Sequence, residues 1–229
     1  MSRWLRFRRH LDRVLALVLA VVLSPLIIVI AIIVRVADGR PVILRLPRVG
    51  QGGEVFRMWK FRTMRPEEGG SVLTSARDDR ITRSGAALRH LRLDELPQLW
   101  NVMRGEMTLF GPRPETPEFV DADDTIWKRV LTAPPGIAGI TQLVAADIEA
   151  RALLPGSVEQ LYRTRILPAK LSIDAWYVEH ASLKTDLVCI VSLAQRLVRP
   201  GRETAAHRLA SREVGDPGLA ELLDSPAAT

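Results

Sequence analysis

Apolar residues run almost unbroken from Val14 to Val34, interrupted by Ser24 and Pro25. A helix rising about 1.5 Å per residue over that stretch reaches the roughly 30 Å of a bilayer's hydrocarbon. A secretory signal has a shorter apolar core, about 7–15 residues, and a small-residue cleavage site, so this run reads as a permanent membrane element. Pro25 removes a backbone donor and breaks the helical ladder, and the Ser24 hydroxyl can satisfy a carbonyl that the break frees. Arg3, Arg6, Arg8, Arg9 and Arg13 precede the run, while Arg35, Arg40, Arg45 and Arg48 follow it. Positive flanks prefer the cytoplasm, and here both ends ask for it. That asks for a helix–break–helix entering one leaflet and returning; a proline-kinked span stays open as the alternative.

Downstream the pattern shortens. Val42, Ile43 and Leu44 precede a turn-rich GQGG at Gly50 to Gly53, and Val55, Phe56, Met58, Trp59 and Phe61 form a second apolar run, which predicts short strands joined by a turn. Pro66 to Asp79 is polar and reads as a loop. Ala86 to Leu93 reads as a helix carrying Arg89 and Arg92, and Pro97 fits the first turn of the next helix. Asp94 or Glu95 then stands at that helix's start, where the dipole favours an ionised carboxylate. Pro134 to Gln142, PPGIAGITQ, reads as a turn-rich connector. Ile173, Trp176, Tyr177 and Ala181 share helical spacing. Leu187, Ile190, Val191, Ala194 and Leu197 make a further apolar face bordered by Lys184, Arg196, Arg199 and Arg202; core packing is favoured over a membrane interface. From Gly201 the composition predicts a frayed tail. The expected fold is a helix-rich α/β chain: a re-entrant membrane anchor over 1–38, a small catalytic domain with interfacial amphipathic helices over 39–200, and a flexible tail over 201–229.

Charge narrows the partners. With 32 Lys+Arg against 26 Asp+Glu, the formal net charge is +6 among 229 residues. That balance suits nucleic acid, a phosphorylated substrate or the cytoplasmic membrane face. No helix-turn-helix, zinc or aromatic-stacking signature supports nucleic acid. A single cysteine, Cys189, excludes an intrachain disulfide framework and sits in an apolar helical pattern, as a packing residue would. The four histidines lack zinc spacing.

The candidate chemistry lies between Arg89 and Pro114, RHLRLDELPQLWNVMRGEMTLFGPRP. An adjacent acid pair, Asp94 and Glu95, precedes a helix, and Arg113 follows between two prolines. A carboxylate can attack phosphorus or hold a divalent cation, while guanidinium groups offset the charge of a diphosphate. Upstream, Lys60-Phe61-Arg62-Thr63-Met64 adds two cations and a hydroxyl. Each motif alone also fits a helix cap, a stiff turn or a basic surface strand. Together, on a membrane-anchored chain, they imply an anionic substrate met at the bilayer surface.

The segments KFRTM, RITRSGAALR, LDELPQLWNVMRGEMTLFGPRP and PPGIAGITQ resemble the small monotopic bacterial sugar transferases, the polyprenyl-phosphate phosphoglycosyl transferases. RRHLD, at Arg8 to Asp12, and the Ser24-Pro25 break resemble that family's membrane helix, so the resemblance covers about residues 8 to 200. It implies transfer of a sugar 1-phosphate from a nucleotide diphosphate sugar, commonly a UDP-sugar, to undecaprenyl phosphate with Mg2+ and release of UMP. Asp94 matches the nucleophile that forms a covalent phosphosugar intermediate, and Glu95 its acidic partner near the metal. Lys60, Arg62, Arg89 and Arg113 match phosphate-holding cations, with Arg80, Arg83 and Asp174 as supporting positions. The resemblance also implies the bacterial inner membrane, a cytoplasmic catalytic face and downstream glycosyltransferases as possible partners.

The chain departs from that pattern in two places. Leu46-Pro47-Arg48 stands where the family often has Gln-X-Arg. GITQLVAA, at Gly139 to Ala146, lacks an arginine that many members carry, and Arg163, Arg165 and Lys170 are the candidates to replace it. A catalytically silent scaffold of a glycan assembly complex is the competing expectation, and the presence of Asp94, Glu95 and Arg113 speaks against it.

Overall fold

In the computed structural model, residues 3–65, 78–145, 158–198 and 202–224 are described. The expected loop from Pro66 to Asp79 falls largely outside them.

Two helices form the N-terminal arm, α1 (Arg3–Val22) and α2 (Ser24–Ala37), bent by 64° at the break. Pro25 cannot donate to the carbonyl of Val21, four residues back, and the Ser24 hydroxyl donates to that oxygen at 2.7 Å. Neither helix alone is long and apolar enough to cross a membrane, although the bent pair is when taken together. Each helix turns one line of residues inward. On α1 it is Leu5, Arg8, Asp12 and Ala16, and on α2 it is Ile30 and Val34, spacings that follow the helical period. The outer faces, including Val14, Val18, Val21, Ile28, Ile32 and Val36, are exposed. A continuous apolar surface of this kind marks an interaction site rather than ordinary solvent contact.

Strands β1 (Ile43–Val49) and β2 (Val55–Phe61) pair antiparallel across the Gly50 to Gly53 turn, as their apolar runs predict. Helix α3 (Arg83–His90) follows and is capped by Thr82, whose hydroxyl accepts from the Gly85 amide. The sequence pattern predicts this helix over Ala86 to Leu93, with Arg92 on it. The chain instead turns at Arg92, whose φ of 54° is left-handed, and enters a 3₁₀ turn, Leu93–Gln98. Pro97 lies inside that turn, and α4 (Leu99–Arg104) continues it. Asn101, fully buried, accepts from the Trp59 amide at 3.0 Å and donates to the Arg57 carbonyl at 2.8 Å. It therefore pins α4 to β2.

β3 (Thr108–Phe110) and β4 (Gly136–Ala138) pair in parallel, with α5 (Thr125–Val130) between them in sequence. The expected connector at Pro134 to Gln142 is thus partly a strand, and residues 140–145 are helical. Gly136 and Gly111 make the close approach possible: a Cβ at Gly136 would lie 2.1 Å from the Gly111 nitrogen.

Helix α6 runs from Val158–Leu161 through a π turn, Tyr162–Ile166, into Leu167–His180, and α7 spans Leu183–Val198. The main core gathers Trp127, Ile140, Leu143, Ile166, Ile173 and Tyr177, with Cys189 among them. On α7 the favoured core reading is corrected. Leu187, Ile190, Val191 and Ala194 are exposed, and the buried face is Thr185, Asp186, Cys189 and Ser192. A second correction concerns the end of the chain. The expected frayed tail contains α8 (Ala205–Glu213) and α9 (Pro217–Asp224), whose Ala206, Ala210, Leu219 and Leu222 join the main core. Apolar residues at helical spacing outweighed the polar composition that suggested disorder.

Candidate active site

Three pieces of backbone converge on one cavity. The exit of β2 delivers Lys60, and the 3₁₀ turn packed against it delivers Asp94 and Glu95. Because β3 and β4 are parallel, their following residues leave from the same end, which brings Arg113 beside Thr141 and Gln142. The cavity holds about 160 Å3 and is also bordered by Arg89, Arg92, Ala145 and Lys170.

Lys60 Nζ stands 2.7 Å from Asp94 Oδ2, and the Asp94 side chain is almost fully enclosed. Glu95 lies between two arginines: Arg113 Nη1 is 3.4 Å from its Oε1, and Arg92 Nη1 is 3.7 Å from its Oε2. Burial alone would raise the pKa of Glu95. The charges of Arg113, Lys60 and Arg92 outweigh it and hold the carboxyl below its usual range. Among the described lining residues, five cations (Lys60, Arg89, Arg92, Arg113, Lys170) thus face two carboxylates, an excess of three positive charges. Such a site attracts a polyanion and can spread charge away from a phosphoryl centre.

Not every expected residue reaches the cavity. Arg62 and Arg83 border a second hollow, and Arg80 pairs with Asp78 at 2.7 Å. Asp174 sits behind the wall, accepting from the Thr141 hydroxyl. Burial pushes its carboxyl up to about 7, against the pull of the Thr141 hydroxyl and the Lys170 charge.

Of the three replacement cations considered, Lys170 alone lines the cavity. Its ammonium donates to Tyr162 at 2.7 Å and to Glu115 at 3.3 Å. Arg163 instead pairs with Glu159 at 2.9 Å, and Arg165 pairs with Glu221. Arg92, Thr141 and Gln142 were not singled out from sequence. Lys170 and Asp174 do carry a signal: they are the two charged residues, four apart on one helix face, within the largely apolar stretch 167–178.

Among the described residues no group of three or more His, Cys, Asp or Glu side chains gathers to hold a metal ion. The acid pair offers two carboxylates, which fits Mg2+ in its usual mode, with substrate phosphates and water completing the shell.

Comparison with known proteins gives this arrangement a context. Residues 3–200 match the family described as bacterial sugar transferase. A UDP-N-acetylgalactosamine-undecaprenyl-phosphate N-acetylgalactosaminephosphotransferase from Aeromonas hydrophila is 34% identical over 193 residues, 80% of this chain and 41% of the relative. A UDP-glucose:undecaprenyl-phosphate glucose-1-phosphate transferase from Caulobacter vibrioides is 34% identical over 196 residues, 83% of this chain and 69% of the relative. The exopolysaccharide production protein ExoY of Rhizobium meliloti is 33% identical over 201 residues, 80% of this chain and 81% of the relative.

Proposed function

Since the chain belongs to the bacterial sugar transferase family and is a transferase, we propose that it moves a sugar 1-phosphate from a UDP-sugar to undecaprenyl phosphate through a covalent intermediate on Asp94. The observation that carries this reading is an enclosed acid pair in a wall with three excess positive charges.

An Asp94 carboxylate oxygen attacks the β-phosphorus of the donor. The bond from that phosphorus to the bridging oxygen breaks, and its electron pair leaves with UMP. Attack by a carboxylate oxygen calls for positioning and charge neutralisation at the phosphoryl group. Lys60 aligns Asp94, and Arg89, Arg92 and Arg113 offset the charge that builds on the phosphoryl oxygens. In the second half, an oxygen of undecaprenyl phosphate attacks the same phosphorus and the aspartyl oxygen departs, restoring Asp94. Glu95, held ionised by its arginines, orients those cations. When bound, Mg2+ would neutralise diphosphate charge beside Asp94 and Glu95.

The bent arm gives the reaction its place. Its apolar outer faces and the exposed Leu183, Leu187 and Ile190 of α7 suit one leaflet of the inner membrane. Arginines on both flanks put both ends on the cytoplasmic side, where soluble donor and lipid acceptor meet. Exopolysaccharide synthesis is the expected pathway, with later glycosyltransferases consuming the lipid-linked product.

UMP release from a panel of UDP-sugars, measured on membranes supplied with undecaprenyl phosphate and Mg2+, tests this. One sugar should support release in wild type and none in Asp94→Asn. Release undiminished in the variant would sink the proposal.

A further inference from the structure

A second hollow of about 480 Å3 lies where α2 leaves the apolar arm. Arg62, Arg65 and Arg83 border it, together with Ala37, Asp38 and Ser84. None of the three arginines has an ion pair among the described residues. Arg62 is only 6% exposed, its Nη1 donates to the Arg40 carbonyl, and its buried Nε has no hydrogen-bond partner. Among the described residues that border it there is one carboxylate, Asp38, which accepts from the Ser84 hydroxyl at 2.6 Å. Against three guanidiniums it leaves an excess of two positive charges.

The hollow also faces the start of α3, an eight-residue helix whose first amides have no intrahelical acceptor. Guanidinium groups converging with too little counter-charge repel one another, and an oxyanion between them relieves the repulsion and takes bidentate contacts. The helix start adds dipole and amides of the same sign.

The position says what carries the anion. Ala37 and Asp38 follow directly on Ile32, Ile33 and Val36, which are 57%, 46% and 81% exposed. An acyl or prenyl chain lying along that face would place its head group at the arginines.

We propose that this hollow binds the phosphate group of a membrane lipid, anchored by Arg62 at its floor and by Arg65 and Arg83 at its rim. The site is separate from the acid-pair cavity and does not rest on the transferase reading. Its ligand is a phosphate head group borne either by a bilayer phospholipid or by a prenyl phosphate.

The test is native mass spectrometry of the full chain released from phosphatidylcholine nanodiscs doped with either phosphatidylglycerol or undecaprenyl phosphate. Arg65 and Arg83 are exposed, so the R65Q/R83Q double variant leaves the core untouched. Wild type should retain the anionic dopant lipid, over the zwitterionic phosphatidylcholine background, about tenfold more than the double variant, the loss expected for two charge-assisted contacts. Preference for phosphatidylglycerol identifies a bilayer anchor site, and preference for undecaprenyl phosphate identifies an acceptor site. Equal retention by wild type and double variant overturns the proposal. So does displacement of the lipid by millimolar inorganic phosphate, since the site would then read the free ion. Asp94→Asn should retain the lipid like wild type, which separates this outcome from any failure of the catalytic reading.

Discussion

At the scale of single residues, burial sets what each acid can do. Glu95 and Asp174 are both enclosed, yet the first is held ionised by arginines and the second is pushed up to about 7. For Asp174 the folded-state value lies above the ordinary 3.8. Between those two values the folded chain holds a proton that the unfolded chain has lost. Stability therefore falls as pH rises through that window and levels off above it. Thermal midpoints of wild type should decline from about pH 5 to about pH 7, and Asp174→Asn, permanently neutral, should flatten the decline. Parallel curves for the two proteins would refute the assignment. The acid pair, Arg89 and Arg113 stand out in the sequence because they share one long contiguous motif, and Lys60 stands out through the separate KFRTM segment. Arg92 was placed on a helix that in fact ends before it, since a left-handed non-glycine residue leaves no pattern in apolar spacing.

At the scale of elements, the site depends on how closely β3 and β4 approach. Their pairing was hidden in the sequence because PPGIAG reads as a turn, and the strand it contains is only three residues long. A methyl group at Gly136 has nowhere to go against the Gly111 backbone. Gly136→Ala should destabilise the fold by about 1–3 kcal/mol, the usual cost of overpacking, and displace Arg113 from Thr141. Its checks are the thermal midpoint and UMP release. A variant with unchanged stability and activity would mean that the strands can separate freely. The helix break was easier to read: Pro25 supplied the orphaned carbonyl and Ser24 the hydroxyl that answers it. The apolar face of α7 was visible, but its direction was not, because periodicity gives a stripe without saying what covers it.

For the whole molecule, a buried charge cluster ties the N-terminal arm to the rest of the fold. Arg8 donates to both Asp186 oxygens at 2.6 Å and to Tyr177 at 2.8 Å, and it also meets Asp12 and the Phe110 carbonyl. Trp4 adds a bond to Asp186 at 2.8 Å. Sequence separates Arg8 from Asp186 by 178 positions, so no local pattern could have joined them. Removing the cation alone leaves two buried carboxylates without their partner. Arg8→Met should cost about 3–5 kcal/mol and Asp186→Asn in the same chain should recover part of it. Lack of any rescue would show that Arg8 matters through packing rather than charge.

The central claim, a phosphosugar carried on Asp94, is tested most directly by intact-mass and peptide mapping of the purified protein incubated with the active UDP-sugar and Mg2+, without acceptor. A sugar-phosphate adduct is expected on the peptide containing Asp94, absent from Asp94→Asn and discharged by undecaprenyl phosphate. Turnover without an adduct on that peptide, or an adduct on another residue, would contradict it.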